Sequence, residues 1–523
     1  MGAIDYSIYL VTGRELLPPG KDYLQHLEES LQGGVTVVQI REKHAETAEF
    51  IRIAAKSKAI CDKYNVPMLI NDRVDVAVAV NAHGVHLGQD DMTVFQARSM
   101  LPRDAIIGVS CNNVDHVKRA IKDSADYVGI GAVWATQTKQ LTNPVIGPRG
   151  VGAMLELLDG TTIKAVAIGG IKSSNLLRTL HGAVSPTNRA LDGVAVVSEI
   201  AASPEPRQAA EKLSRLFKSF RIRHPPPIAS PQGVPEEKYI VGQVAELMKV
   251  VREVNPLIHQ ITNTVVATQS ANVTLALGGS PIMATEPREM EDLSRISNAL
   301  LVNIGTMRAD GKKSMSLAGC AANANRIPVV FDPVGVGATA FRKETVKDLL
   351  NMFQSSVIKG NAGELAALSD SQEVLARGVD SVGSGFKDPV GFVRALARKE
   401  RCVVVLTGPV DYISDGVSVV ALRNGHEILG KITGSGCVLG SSIATYCGAA
   451  CAQSTKEDHG VLVHGDMFLG AIAAVLVVTI AAEIAAQRVD VRGPGSFLPA
   501  FIDELWTLEP SDVQSLARIE LFP

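Results

Sequence analysis

PMLIND, residues 67–72, and GVHLGQDD, residues 84–91, decide how the first half of this chain is read. Each is a short apolar run that ends in polar and acidic residues. Working outward, the same rhythm recurs in IYLVT (8–12), VTVVQIR (35–41), AIIGVS (105–110), DYVGIGAV (126–133), IKAVAIGGI (163–171) and LDGVAVVSEI (191–200). Between these runs lie stretches such as EFIRIAAKSKAICDKY and NVDHVKRAIKDSA, whose apolar spacing is helical. Eight strand–helix units in about 220 residues fit a closed (β/α)8 barrel, with a doubly wound open sheet as the competing arrangement.

The strand ends carry the chemistry. Gln39, Arg41 and Lys43 end the second strand; Asn71 and Asp72 end the third; Gln89, Asp90 and Asp91 follow the fourth. Ser110, the pair Gly169–Gly170, and Ser198 end strands five, seven and eight. In a barrel all of these meet on one rim. Asp72 and Asp91 then suit a divalent cation, Arg41 and Lys43 suit phosphate oxygens, and the glycines expose backbone N–H groups. Each acid alone reads equally well as a cap, and each glycine as a tight turn.

The chain has 523 residues, too many for one ordinary core. RHPPPIASPQGVPEEK, 223–238, breaks the pattern with three adjacent prolines, which neither a helix interior nor a central strand accepts. The expected division is therefore a barrel over 1–222, a linker over 223–238 and a second domain over 239–523. In that domain LLVNIGT (300–306), PVVFDPVG (328–335), SVIKGN (356–361) and VVVLTG (403–408) read as strands ending in functional loops, preceded by VTLALGGSPIMA (273–284). KITGSGC, 431–437, is a glycine loop opening a helix. It lacks the GxxxxGK[ST] pattern of a P-loop, but an anion hole at a helix start remains open to it.

Composition narrows the partners. The net charge is −3, from 51 basic and 54 acidic side chains, and no basic tail appears, so a nucleic-acid partner is not expected. Seven scattered cysteines without zinc-site spacing suit reduced thiols and a cytoplasmic location. The N-terminus has no basic, apolar signal pattern. MFLGAIAAVLVVTIAA, 467–482, imitates a membrane span, but it is short and bounded by Asp466 and Glu483, so a buried helix is expected.

More detailed motifs carry two resemblances. QIREK (39–43), INDR (70–73), HLGQDD (86–91), GVS (108–110), TQTK (136–139) and AIGGI (167–171) stand in order at strand ends, and from roughly Tyr9 to Phe217 the chain resembles thiamine phosphate synthase. The resemblance implies that a hydroxymethylpyrimidine diphosphate is joined to a thiazole phosphate, releasing pyrophosphate. It implies Mg2+ on Asp72 and Asp91, and diphosphate oxygens on Gln39, Arg41, Lys43, Asn71 and Lys139. Thr136, Thr138, Gly169, Gly170, Val197 and Ser198 would hold the thiazole phosphate, and Ser110 would lie near the pyrimidine. His86 is expected to be structural. Trp134 stands where the commonest pattern has a Gly-Pro and Phe, and is expected to replace an aromatic wall.

HQITNTVVATQSAN (259–272), LALGGSPIMA (275–284), NIGT (303–306), DPVGVGAT (332–339), KGNAGE (359–364), TGPVDYISDG (407–416) and TGSGC (433–437) make the second half resemble hydroxyethylthiazole kinase, a ribokinase-like α/β family. That implies ATP as co-substrate, and a thiazole alcohol whose phosphate feeds the barrel. Asp332 and Glu364 match acidic magnesium-handling positions. Thr407 and Gly434 match the nucleotide region, and so does Lys359, which replaces a common arginine. Met283 matches a thiazole-lining position. Cys437 stands where wider kinase relatives place an aspartate, and a helix start would lend it partial thiolate character. Family members form trimers, so homo-oligomerisation through this half is implied. Competing readings are a barrel isomerase fused to a pyrimidine kinase, and a non-catalytic thiamine sensor.

Overall fold

Short strands without polar alternation must be covered on both faces, and the computed structural model shows how. It describes residues 4–136, 143–223, 236–307, 311–377, 380–382, 385–455 and 460–523. The chain divides into two compact units, the first made of Met1–Ile228 with the short segment Asp458–Val461, the second of Ala229–Glu457 and Leu462–Pro523.

In the first unit eight parallel strands close a barrel in sequence order. They are β1 (Ile8–Val11), β2 (Val37–Ile40), β3 (Met68–Asn71), β4 (Gly84–Leu87), β5 (Ile106–Cys111), β6 (Tyr127–Ile130), β7 (Lys164–Ile168) and β8 (Gly193–Val196). β1 pairs with β8 through Tyr9 opposite Ala195, which closes the ring. Inward side chains and outer helices bury both faces of each strand, so the strands read as continuous apolar runs. Tyr9, Val37, Leu69, Ile106, Tyr127 and Val166 pack in one buried cluster.

The second unit holds a nine-stranded mixed sheet in the order β10-β9-β11-β12-β13-β16-β17-β18-β19. Its strands are β9 (Leu257–Ile261), β10 (Ser280–Ile282), β11 (Ala299–Asn303), β12 (Val329–Asp332), β13 (Val357–Asn361), β16 (Val403–Thr407), β17 (Asp411–Ser414), β18 (Val419–Leu422) and β19 (Ile519–Phe522). β14 (Leu375–Arg377) and β15 (Asp380–Val382) form a separate hairpin. The strands from β10 across to β16 run parallel, and β17, β18 and β19 continue antiparallel.

Period-two alternation splits this core. Leu301, Val330, Val357 and Val405 face one apolar layer; Leu300, Val302, Phe331 and Val404 face the other. The first layer contains the helices Ser435–Gln453 and Met467–Gln487. The second of these is the segment that imitates a membrane span. Its mean hydropathy is 2.4, and 78% of its most apolar window is buried. A helix apolar on every side needs such enclosure in a folded domain. Gly470 allows the close approach: a Cβ there would stand 3.0 Å from Cys447 Sγ.

Candidate active sites

Parallel strands in a closed barrel send all their C-terminal ends to one rim, so the strand-end residues of the first unit gather there. Asp72 takes a left-handed backbone with φ of 63°, and its N–H donates to the His86 carbonyl at 2.8 Å. Burial, followed by the charge of Asp91 and a hydrogen bond with it, pushes the Asp72 carboxyl above its ordinary value. Asp91 Oδ2 in turn accepts the Gly88 N–H at 2.6 Å. Two crowded carboxylates are a donor set that a divalent cation relieves, so this pair fits Mg2+.

Arg41 is anchored through its backbone N–H to Thr12 Oγ1 at 3.0 Å, while Lys43 is exposed. Gln39 is buried, and it donates from Nε2 to the Tyr9 hydroxyl at 2.6 Å. Tyr9 and Tyr127 share a hydroxyl–hydroxyl bond of 2.7 Å. Tyr127 lies 2.7 Å from His86 Nδ1, and His86 Nε2 lies 2.9 Å from Ser110 Oγ. A hydrogen-bonded chain thus crosses the barrel interior from Gln39 to Ser110. Gln89 donates to the Ser110 carbonyl at 2.6 Å. Sequence reasoning passed over Tyr9 and Tyr127 as strand filler. Their signal was a hydroxyl on inward positions that are otherwise aliphatic, since a buried phenol requires a partner.

Gly169 and Gly170 form the turn after β7, with φ of 100° and 64°. A Cβ on Gly170 would stand 2.5 Å from the Ala135 carbonyl oxygen, so only glycine fits. Residues 137–142, the loop that Trp134 is expected to wall, lie outside the described residues. Trp134 is 9% exposed, its indole N–H donates to Thr179 Oγ1 at 2.9 Å, and its backbone N–H donates to the Gly169 carbonyl at 3.0 Å. The indole needed a buried acceptor, and the helix Leu176–Gly182 supplies one. Thr136, Val197 and Ser198 follow β6 and β8 on the same rim. Thr138 and Lys139 lie outside the described residues.

In the second unit the helix Ser435–Gln453 starts at Gly434, whose φ is 80°. A Cβ on Gly434 would stand 2.0 Å from Val266 Cγ1. Cys437 is buried in the first turn, where backbone N–H groups have no helical partner. The thiolate expectation is not met. Burial, and after it the charge of Asp332, pushes the Cys437 thiol above its ordinary value. That direction is opposite to the one a helix start alone would give.

Asp332 and Lys359 form a fully buried ion pair, with Lys359 Nζ 3.0 Å from Asp332 Oδ1. Burial works against the charge on Lys359, but Asp332, Glu364 and Cys437 together hold its pKa above the ordinary value. Asn303 Nδ2 donates to Asp332 Oδ2 at 2.8 Å. Glu364 accepts the Gly335 and Asn361 N–H groups, each at 2.9 Å. Both acids are thus held in place by protein donors. Among the described residues no group of three or more His, Cys, Asp or Glu side chains has metal-binding geometry.

Thr407 ends β16, and the Gly408 N–H that follows donates to Asp411 Oδ1 at 3.0 Å. Burial pushes the Asp411 carboxyl up to about 7, against the opposing pull of the Gly408 bond and of Lys359. Met283 follows edge strand β10 and is half-buried rather than in the core. Sequence reasoning also missed Arg342. Its guanidinium donates to the Ile304, Val334 and Gly305 carbonyls at 2.7, 2.8 and 2.8 Å, tying the loops after β11 and β12 together. No local pattern marks it, because its partners are distant backbone atoms.

Comparison with known proteins follows the same division. Residues 8–200 match the family model for thiamine monophosphate synthase, and residues 248–511 match that for the hydroxyethylthiazole kinase family. A probable thiamine biosynthetic bifunctional enzyme of Schizosaccharomyces pombe is 41% identical over 516 residues, covering 97% of this chain and 95% of the relative. The thiamine biosynthetic bifunctional enzyme of Saccharomyces cerevisiae is 37% identical, covering 97% of this chain and 96% of its own length. A hydroxyethylthiazole kinase of Thermoanaerobacter sp. is 39% identical over 276 residues, 53% of this chain and 99% of that protein.

Proposed function

Because the chain belongs to the bifunctional enzymes of thiamine biosynthesis, a thiamine monophosphate synthase half followed by a hydroxyethylthiazole kinase half, we propose that its two strand-end sites run consecutive steps. The sheet unit transfers the γ-phosphoryl group of ATP to the hydroxyethyl oxygen of the thiazole. The barrel joins the resulting phosphate to hydroxymethylpyrimidine diphosphate, giving thiamine phosphate and pyrophosphate.

In the barrel the attacking thiazole nitrogen carries no proton, so no general base is required. Ser110, held by the His86–Tyr127 chain, orients the pyrimidine. Arg41, Lys43, Asn71 and Gln39 face the diphosphate, with Lys139 completing the set. Thr136, Thr138, Gly169, Gly170, Val197 and Ser198 hold the thiazole phosphate, so that the two rings meet in a productive geometry. Asp72 and Asp91 would hold Mg2+, which would supply neutralising charge for the diphosphate.

In the sheet unit the N–H groups of Gly434–Cys437 face the transferring phosphoryl group. Thr407 and Gly434 border the nucleotide, and Met283 borders the thiazole. Cys437 sits beside the alcohol as a neutral thiol. Phosphoryl transfer through a loose transition state needs little base, which agrees with that state. The chain works in the cytoplasm and self-associates through the sheet unit; sedimentation would test the latter.

The observation that carries this reading is the crowded Asp72–Asp91 pair on a rim separate from the glycine loop of the other unit. The test is a coupled assay with hydroxyethylthiazole, ATP, Mg2+ and the pyrimidine diphosphate, read as thiamine phosphate. Asp91→Ala should abolish coupling of preformed thiazole phosphate and leave thiazole phosphorylation intact. Equal loss of both activities in a folded variant would sink the two-site assignment.

A further inference from the structure

Beneath the glycine loop a ring of hydrogen bonds closes on itself. Asn263 Nδ2 donates to Cys437 Sγ at 3.3 Å and to Asn303 Oδ1 at 3.1 Å. Asn303 Nδ2 donates to Asp332 Oδ2 at 2.8 Å. Lys359 Nζ donates to Asp332 Oδ1 and to the Gly436 carbonyl, both at 3.0 Å. Gly436 precedes Cys437, so the ring leaves the first turn of the helix at one residue and returns at its neighbour.

Every side chain in the ring is buried. Both amides are locked in orientation. Asn263 Oδ1 accepts the Val265 N–H at 3.1 Å, and Asn303 Oδ1 accepts the Gly305 N–H at 2.9 Å. Turning the Asn303 amide over would set its oxygen against the Asp332 carboxylate and its NH2 against an N–H donor. The ring therefore has one arrangement. Position 436 also accommodates it: a Cβ there would lie 3.1 Å from Lys359 Nζ, tighter than ordinary contact.

The consequence lies in the peptide between Gly436 and Cys437. In a planar trans peptide the C=O and the next N–H point in opposite directions. Holding the Gly436 carbonyl on the buried ammonium therefore keeps the Cys437 N–H pointing away from Lys359, out of the N-terminal end of the helix Ser435–Gln453. We propose that Lys359 and Asn303 are positioning residues of the phosphoryl-transfer site, which orient the Cys437 N–H and thiol through the ring without touching ATP. This assigns Lys359 a different task from that of a nucleotide contact, and it gives the engaged carboxylate of Asp332 an anchoring task. It rests on the kinase reading of the sheet unit.

The consequence for kinetics is specific. A donor that matters only as the phosphoryl group gathers charge changes kcat, whereas a ground-state phosphate contact changes the KM for ATP. Thiazole phosphorylation is measured on the full chain for wild type, Lys359→Met, Lys359→Arg and Asn303→Ala. Barrel coupling of preformed thiazole phosphate serves as the folding control. Lys359→Met and Asn303→Ala should each lower kcat by about tenfold or more, with the KM for ATP within about threefold of wild type. Lys359→Arg should restore most of kcat, since a guanidinium can also bridge a carboxylate and a carbonyl.

A rise of about tenfold in the KM for ATP in Lys359→Met, with kcat kept and Asn303→Ala unaffected, would overturn the proposal. Should Lys359→Met fail to fold, Asn303→Ala decides alone: unchanged kcat in a folded Asn303→Ala chain also overturns it. A wild-type chain that does not consume ATP with the thiazole alcohol would instead bring down the kinase reading, and this inference with it.

Discussion

At the scale of single residues, burial sets the chemistry that residue type alone leaves open. Asp411 is the clearest case. Its folded pKa of about 7 lies above the ordinary carboxylate value near ~4. The folded chain therefore binds a proton that the unfolded chain has already released, and the associated stability is present at low pH and lost as pH rises through about 7. Between about pH 6 and pH 8 the wild type should lose about 1 kcal/mol that an Asp411→Asn variant keeps. Thermal melts of both proteins at the two pH values test this, and parallel behaviour would refute it. For Cys437, we propose that a buried thiol beside backbone donors contributes little to transfer. Cys437→Ala should lower the phosphorylation rate yet leave measurable turnover, with ATP binding little changed and the barrel reaction untouched. Complete loss of phosphorylation in a folded chain that binds both substrates would make the thiol obligatory. In the barrel, Tyr127→Phe removes the hydroxyl shared by Tyr9 and His86. Coupling should slow by about tenfold while phosphorylation holds, because only the orientation of Ser110 is lost.

Close packing governs the elements. The helices Ser435–Gln453 and Met467–Gln487 approach through Gly470, where a Cβ would meet Cys447 Sγ at 3.0 Å and the Cys447 backbone N at 3.2 Å. The backbone cannot yield as a side-chain tip can. Gly470→Val should therefore destabilise the sheet unit by about 2 kcal/mol through overpacking, seen as a lower urea midpoint for loss of phosphorylation. The turn after β7 obeys a different constraint. Gly170→Ala would combine a left-handed backbone with a carbonyl at 2.5 Å, so the phosphate turn must move and coupling should fall with the KM for thiazole phosphate raised. A variant with wild-type kinetics would show that the turn takes no part in binding.

The whole molecule is two units, each with its own buried core and its own set of strand-end polar residues. A barrel closes its own hydrogen-bond ladder, and the nine-stranded sheet covers both its faces with its own helices. Chains cut to residues 1–222 and 239–523 should each fold and keep their partial reactions, coupling and phosphorylation respectively. Activity that appears only when the two pieces are mixed would mean that the halves complete each other structurally.

The sequence by itself determined the architecture of both halves and placed the candidate site residues at strand ends and one helix start. Apolar runs capped by polar ends are a local property, and a parallel fold sends such ends to one side whatever the intervening helices do. The buried helix read over 467–482, which the structure extends to 487, was legible because apolar residues on every side call for enclosure. What only the tertiary structure decided is how those residues are spent. Lys359 could be read as a phosphate contact because a basic residue at a strand end usually faces solvent, yet folding brings Asp332 to it from the next strand and the Gly436 carbonyl from a helix 77 positions away. Trp134 was read as a wall, and the fold adds an acceptor for its N–H in Thr179, 45 residues on. Cys437 was read as part thiolate, but the packing around it makes desolvation the larger influence. Local pattern fixes where a side chain starts; the partner that satisfies its donors, and the water it loses, come from contacts distant in sequence.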